Sequence, residues 1–175
     1  LANWTFITMS SELRVDKIIP TTGVPSGTYN AGGIIQMKQF FVTSHIYTTS
    51  SSDTDIITGT ITPHFSTSKI LIMIGVTPYG GNQDTLSARG RIRRGGSSGT
   101  QIYYNRRMFF RQGSALKAVG SALNLIDSPN TTSAVTYVFQ TSVETQSGGS
   151  TIEFYNDGHS ANAPENSMTL MEVSA

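Results

Sequence analysis

The chain predicts an all-β fold, a sandwich or a barrel, and three observations carry that expectation. Apolar and polar residues alternate with period 2 in stretch after stretch, the pattern of half-buried strands. Clusters of Gly, Pro, Ser, Asn and Asp separate those stretches at strand-like intervals. No amphipathic helical pattern of useful length occurs, and 114–120 is the only short helical candidate. Eight or nine strands are expected.

Residues 1–33 read differently. Pro20, Gly23, Pro25, Gly27, Gly32 and Gly33 interrupt every periodicity after Ser10, so this segment is expected to be an extended arm that packs on something else. Residues 34–175 form the expected sandwich domain. Met9 reads like a natural start, which makes the preceding LANWTFIT an extension or the remnant of a longer chain. Those eight residues lack the basic start and apolar core of a signal peptide.

The first strand is expected at Ile34 to Thr43, with Ile35, Met37 and Phe41 on one face. A polar loop, SSSD, follows. Ile57, Gly59 and Ile61 then alternate with Thr58, Thr60 and Thr62 until Pro63 stops the strand. In KILIMIGVTP, Ile70, Ile72, Ile74 and Val76 occupy one face while Leu71, Met73 and Gly75 occupy the other. Both faces want burial, whereas a sandwich covers one. Ile70, Leu71, Ile72, Met73 and Ile74 are therefore candidate residues of a subunit interface, against a simpler reading in which loops or the arm cover the second face.

Further strands are expected in LSARGRIRR, in TQIYYN with RMFF after it, in STIEFYN, and at the C-terminal SMTLMEV. A hairpin is expected from Leu123 to Val143. Its second arm places Val135, Tyr137, Phe139, Thr141 and Val143 on one face, and Asp127, Ser128, Pro129 and Asn130 supply the turn.

Composition narrows the chemistry. The 175 residues carry a formal net charge of +1 and no cysteine. Disulfides, thiolate metal sites and Cys nucleophiles are excluded. No apolar run reaches the roughly 20 residues of a membrane-spanning helix, so no membrane insertion is expected. There is no nucleophile elbow, phosphate loop, zinc motif or dinucleotide fingerprint, so neither an enzyme nor a cofactor is expected. His45, His64 and His159 have no metal-ligand spacing, and Asp53 and Asp55 read as a solvated turn instead of a calcium loop. Glu144, Glu153 and Asp157 could pair across strands as hydrolase carboxylates, a signal any β-protein offers.

The charge that is present is unevenly placed. Arg89, Arg91, Arg93, Arg94, Arg106, Arg107, Arg111 and Lys117 are eight of the 12 basic residues, and no acid lies between Asp84 and Asp127. Arg89, Arg91 and Arg93 share a strand face, a row suited to phosphate or carboxylate recognition. The plainer reading pairs them with acids of other strands or of a neighbouring subunit. As a binding surface they would take an acidic or phosphorylated glycan, with Arg106, Arg107, Tyr103, Tyr104 and His159 as the other candidate contacts. Nucleic acid is disfavoured by the near-zero net charge. The aromatic cluster Tyr103, Tyr104, Phe109 and Phe110 fits a core or an interface better than a sugar platform.

The phrases SELRVDKIIPTTGVPSG, GGIIQM, ITGTITPHFSTSKILIMI, LIDSPNTTSAVTYVFQTSVET and SMTLMEVSA, in that order, resemble small structural and tail-fibre-like proteins of marine, cyanobacterium-infecting tailed phages. The resemblance covers about Ser10 to Ala175. It implies an attachment arm followed by a jelly-roll of the tumour-necrosis-factor or C1q kind, homotrimeric and located on the exterior of a virion. It transfers no catalytic residue. A tail-fibre or receptor-binding appendage is the role expected, touching host glycan or lipopolysaccharide through loops such as 157–167. The alternative is a capsid decoration or head-fibre protein held to the major capsid protein by the arm. A glycan depolymerase and a cytokine-like or lectin-like module are weaker rivals.

Overall fold

The computed structural model of the chain describes residues 33–80, 85–112, 120–146, 151–155 and 166–174. Every regular element among them is a β-strand. In chain order these are β1 (Ile34–Phe41), β2 (Ile46–Thr48), β3 (Thr54–Ile61), β4 (Lys69–Val76), β5 (Tyr79–Gly80), β6 (Thr85–Arg94), β7 (Thr100–Gln112), β8 (Ser121–Asp127), β9 (Val135–Gln146), β10 (Ile152–Phe154) and β11 (Ser167–Val173). The arm expected at 1–33 apart from Gly33, the short helical candidate at 114–120 apart from Gly120, and most of the loop at 157–167 lie outside the described residues.

Two four-stranded antiparallel sheets, β1-β11-β4-β8 and β3-β9-β6-β7, hold all the longer strands. Numbered among themselves, these eight strands run 1-8-3-6 in one sheet and 2-7-4-5 in the other. That interleaving is the jelly-roll, so the fold class is the expected one. The short strands β2, β10 and β5 form a third, three-stranded sheet.

The core lies between the inner faces of the two large sheets. Ile70, Ile72, Ile74 and Val76 of β4 meet Met168 and Leu170 of β11 on one side, and Ile57, Ile61, Val135, Tyr137, Phe139 and Ile92 close it from the other. At roughly 1.5–3 kcal/mol for each fully buried large apolar side chain, this layer is the main source of stability. Gly59 marks a close approach of the sheets, since a Cβ there would stand 2.6 Å from Phe40 Cδ2 and 2.9 Å from Met168 Cε. The alternation that puts Gly59 inward with Ile57 and Ile61 therefore reflects a packing need.

Three expectations are corrected. Ile70, Ile72 and Ile74 are core residues of the protomer, 0–2 % exposed, and cannot form a subunit interface. Only Leu71 and Met73, of the five named, face outward. The stretch from Leu123 to Val143 is not a hairpin: β8 pairs with β4 and β9 with β3 and β6. The connector after Asp127 is long enough to carry the chain across the sandwich, with Asn130 in the left-handed region at φ 54°. TQIYYN and RMFF are one continuous strand, β7, whose register shifts opposite Ala88 to Gly90. The shift is a bulge that absorbs the extra residues without ending the pairing.

Candidate functional site

The basic strand β6 lies inside the second sheet, between β9 and β7, and its outward side chains find acids on the β9 and β3 side. Arg91 is aligned with Gln140 of β9, and Gln140 in turn with Asp55 of β3. Arg89, Arg91 and Arg93 do share one face, as their spacing predicts. Acids of the same sheet partner that row. Arg91 pairs with Asp53, and Arg93 lies 3.6 Å from the same carboxylate. Arg93 Nε also donates to Gln140 Oε1 at 2.8 Å, and Gln140 Nε2 donates to Asp55 Oδ1 at 2.6 Å. Ser97 closes the chain by donating to the other Asp55 oxygen.

Further along the face, Arg106 pairs with Glu144, and Arg89 stands 3.9 Å from that carboxylate. The Glu144 hydrogen bond and charge hold the exposed Arg106 guanidinium above its ordinary pKa. Tyr104 lies under Arg91, with the guanidinium carbon 5.0 Å from the ring centroid. Arg107 is exposed and takes part in no ion pair among the described residues. Tyr103 packs against the core with Phe109, so it is no sugar platform. His159 and Lys117 lie outside the described residues, as does the side chain of Arg111.

This arrangement favours the plainer reading of the arginine row. Four cations, Arg89, Arg91, Arg93 and Arg106, meet two carboxylates, Asp53 and Glu144, within one sheet face, and Asp55 joins the network through Gln140. Asp53 and Asp55, expected as a solvated turn, are instead the acids that hold the row. Partner groups 38 to 85 residues away are invisible to local patterning. Glu144 and Glu153 sit on different sheets and are each engaged by their own partners, so they do not form the carboxylate pair of a glycosidase.

A second constellation escaped the sequence reading. On the small third sheet, Tyr47 of β2, Glu153 of β10 and Tyr79 of β5 are aligned in one row. His45, just before β2 and two residues from Tyr47, and Tyr155, just after β10 and two residues from Glu153, share that face by alternation. The opposite face carries Ile152 and Phe154 into the core, where Phe154 meets Phe109 edge-on at 6.0 Å. Tyr155 donates its hydroxyl to Glu153 Oε2 at 2.6 Å, Thr151 donates to Oε1 at 2.9 Å, and His45 Nε2 stands 3.2 Å from Oε2. The His45 and Tyr155 rings stack at 4.5 Å and 4°. Burial alone would raise the Glu153 carboxyl, but the bonds from Tyr155, Thr151 and His45 outweigh it and hold the group below the usual carboxylate range. The bond to Glu153 pushes the Tyr155 hydroxyl up to about 12. Strict alternation in HIYT and STIEFYN was the available signal, but strands of two or three residues are too short to establish a period.

No family model matches the chain, and no curated protein matches it in sequence. Among solved structures it is similar to the VP2 protein of infectious bursal disease virus. A mutant VP2 from T=1 particles gives a TM-score of 0.46 at 12% identity, covering 88% of this chain and 40% of that one. The VP2 subviral particle gives 0.46 at 11% identity, over 89% of this chain and 44% of that one. The Gx strain of the same virus gives 0.45 at 14%, over 89% and 40%. The chain thus spans less than half the length of these proteins.

Proposed function

We propose that this chain is a virion structural protein: a trimeric jelly-roll that serves as a tail-fibre or receptor-binding appendage and contacts the host surface. The observation that carries the reading is the outward face of the β1-β11-β4-β8 sheet. There Met37, Met171, Leu71 and Ile126 are aligned in a single row across four strands. Ile126 is 64% and Met37 60% exposed, and Ile34, Phe41 and Met73 widen the apolar strip. A strip of this kind is what one subunit offers another. The resemblance to cyanophage structural proteins supplies the trimer, the virion exterior and attachment through the N-terminal segment. Three copies of one weak site would then act together on a repetitive surface.

One observation favours the capsid-decoration alternative. An arginine row already paired with Asp53 and Glu144 is poorly prepared to capture a phosphorylated or acidic receptor, and a decoration protein needs no receptor. Light scattering on the purified chain together with adhesion to host cells tests the proposal. The expected result is a trimer that binds cells and that becomes monomeric on Ile126→Asp without losing its fold. A monomeric wild type, or a trimer that leaves host cells and their lipopolysaccharide untouched, would overturn the assembly and the receptor role respectively.

A further inference from the structure

We infer that the outward face of the β2-β10-β5 sheet is a binding site for neutral hexopyranose units, with the Tyr47 ring as its stacking surface and Glu153 as its hydrogen-bond acceptor. The inference deepens the receptor-binding reading, on which it rests only for the origin of the sugar. It places recognition away from the arginine row.

Four features converge. First, the described residues of the face are aromatic and hydrogen-bonding groups: Tyr47, Glu153 and Tyr79 in one row, His45 and Tyr155 in the next. Its inner side is anchored in the core through Ile152 and Phe154, so the platform is rigid. Second, Tyr47 is 66% exposed, and its ring lies 5.9 Å from His45 at a tilt of 41°. An exposed tyrosine on a fixed backbone offers a flat apolar surface at little entropic cost, matched to the C–H face of a pyranose. Third, Tyr79 meets Tyr155 edge-on at 5.3 Å, which closes the far side of the row. Fourth, Glu153 lies between the two outer tyrosines with both oxygens positioned by neighbours. A carboxylate held in this way can accept hydrogen bonds from sugar hydroxyls at a defined angle.

The same groups set the specificity. A sialic or uronic acid would bring its carboxylate against Glu153, and a phosphate would fare worse. A purely apolar ligand would strand that carboxylate without water. A quaternary ammonium wants open ring faces around it, whereas His45 and Tyr155 lie flat against each other at 4°. Neutral sugars satisfy both the ring and the acceptor.

The test uses the full chain titrated with methyl α-glucoside, methyl β-galactoside, methyl α-mannoside and N-acetylglucosamine, with glucuronic acid, N-acetylneuraminic acid and choline as comparisons. Saturation-transfer NMR reads the contacts. At least one neutral glycoside should bind, with affinity falling about tenfold in Tyr47→Ala. Glu153→Gln should narrow the preference for neutral over acidic sugars. Arg93→Ala should leave the neutral sugars unaffected. Binding of none of the neutral probes, unchanged binding by Tyr47→Ala, or a preference for choline or the acidic sugars would overturn the site. Host-cell adhesion of wild type separates the two claims: sugar binding without adhesion contradicts the receptor role alone, and adhesion that survives Tyr47→Ala contradicts this site alone.

Discussion

The Tyr137 hydroxyl donates a 2.8 Å hydrogen bond to Asp127 Oδ2, joining two residues whose strands belong to opposite sheets. Arg94 of β6 grips both Asp127 oxygens at 3.0 Å, so three strands meet at one carboxylate. The connection explains how the connector after Asp127 can leave one sheet and enter the other without fraying. It also accounts for the buried tyrosine, which would otherwise strand its hydroxyl.

Tyr137→Phe is therefore expected to cost about 1.5 kcal/mol in urea unfolding, with the fold retained. Burial first, and the Asp127 bond second, raise the Tyr137 pKa well above the ordinary tyrosine value of about 10. A raised pKa gives stability that is complete below the unfolded value and lost as pH rises above it. Wild type should weaken above about pH 10, and Tyr137→Phe should weaken less over the same range. Equal alkaline losses would show that Tyr137 is not the group responsible.

Glu172 governs acid stability. Its fully buried carboxylate accepts from Gln36 Nε2 at 2.7 Å, from the His64 backbone at 2.7 Å and from His64 Nδ1 at 2.9 Å. Burial would raise this carboxyl, but the Gln36 and His64 bonds prevail and bring it from 4.5 down to about 2. A depressed pKa gives stability that is complete above the unfolded value and lost as pH falls through the folded one. Wild type should thus lose stability from about pH 4.5 to about pH 2, and Glu172→Gln should show a flatter profile there while being about 2 kcal/mol less stable at pH 7. Melting curves across that window decide it.

The arginine face makes an energetic prediction. Arg91 and Asp53 are 17% and 20% exposed, well shielded for an ion pair between strands of one sheet. A double-mutant cycle of Arg91→Ala and Asp53→Ala should return a coupling of about 1–2 kcal/mol. A coupling near zero would free Arg91 for an external anion and reopen the acidic-glycan reading.

Gly59→Ala tests the tight contact between the sheets. The added methyl would press on the Phe40 ring and the Met168 methyl, and an overpacked core of this kind costs about 1–3 kcal/mol. The companion Gly75→Ala has open space around its Cβ and should be nearly neutral by the same chemical denaturation.

The sequence was most legible where alternation is long. β4 and β11 run where KILIMIGV and SMTLMEV predict, and Val135, Tyr137 and Phe139 point inward as read. It was least legible where partners are distant. Ile70, Ile72 and Ile74 carry no mark that distinguishes a core face from an interface face, because both are apolar. Leu123 to Val143 looks like a hairpin because a turn between two strands is a local property, whereas the choice of sheet depends on β4, β3 and β6. The acids that neutralise Arg91 and Arg93 lie on the far side of the sheet in sequence, so the row reads as free until the strands are paired. The Tyr47, Tyr79 and Glu153 row needs three short strands to come together before it exists at all.

Gold-labelled antibody against the purified domain, applied to intact virus particles whose genome encodes this chain, tests the virion assignment most directly. The expected result is labelling on the exterior of the particle, concentrated at tail-fibre positions, with capsid labelling marking the decoration role instead. Unlabelled particles, with the protein recovered only from the cell lysate, would contradict it.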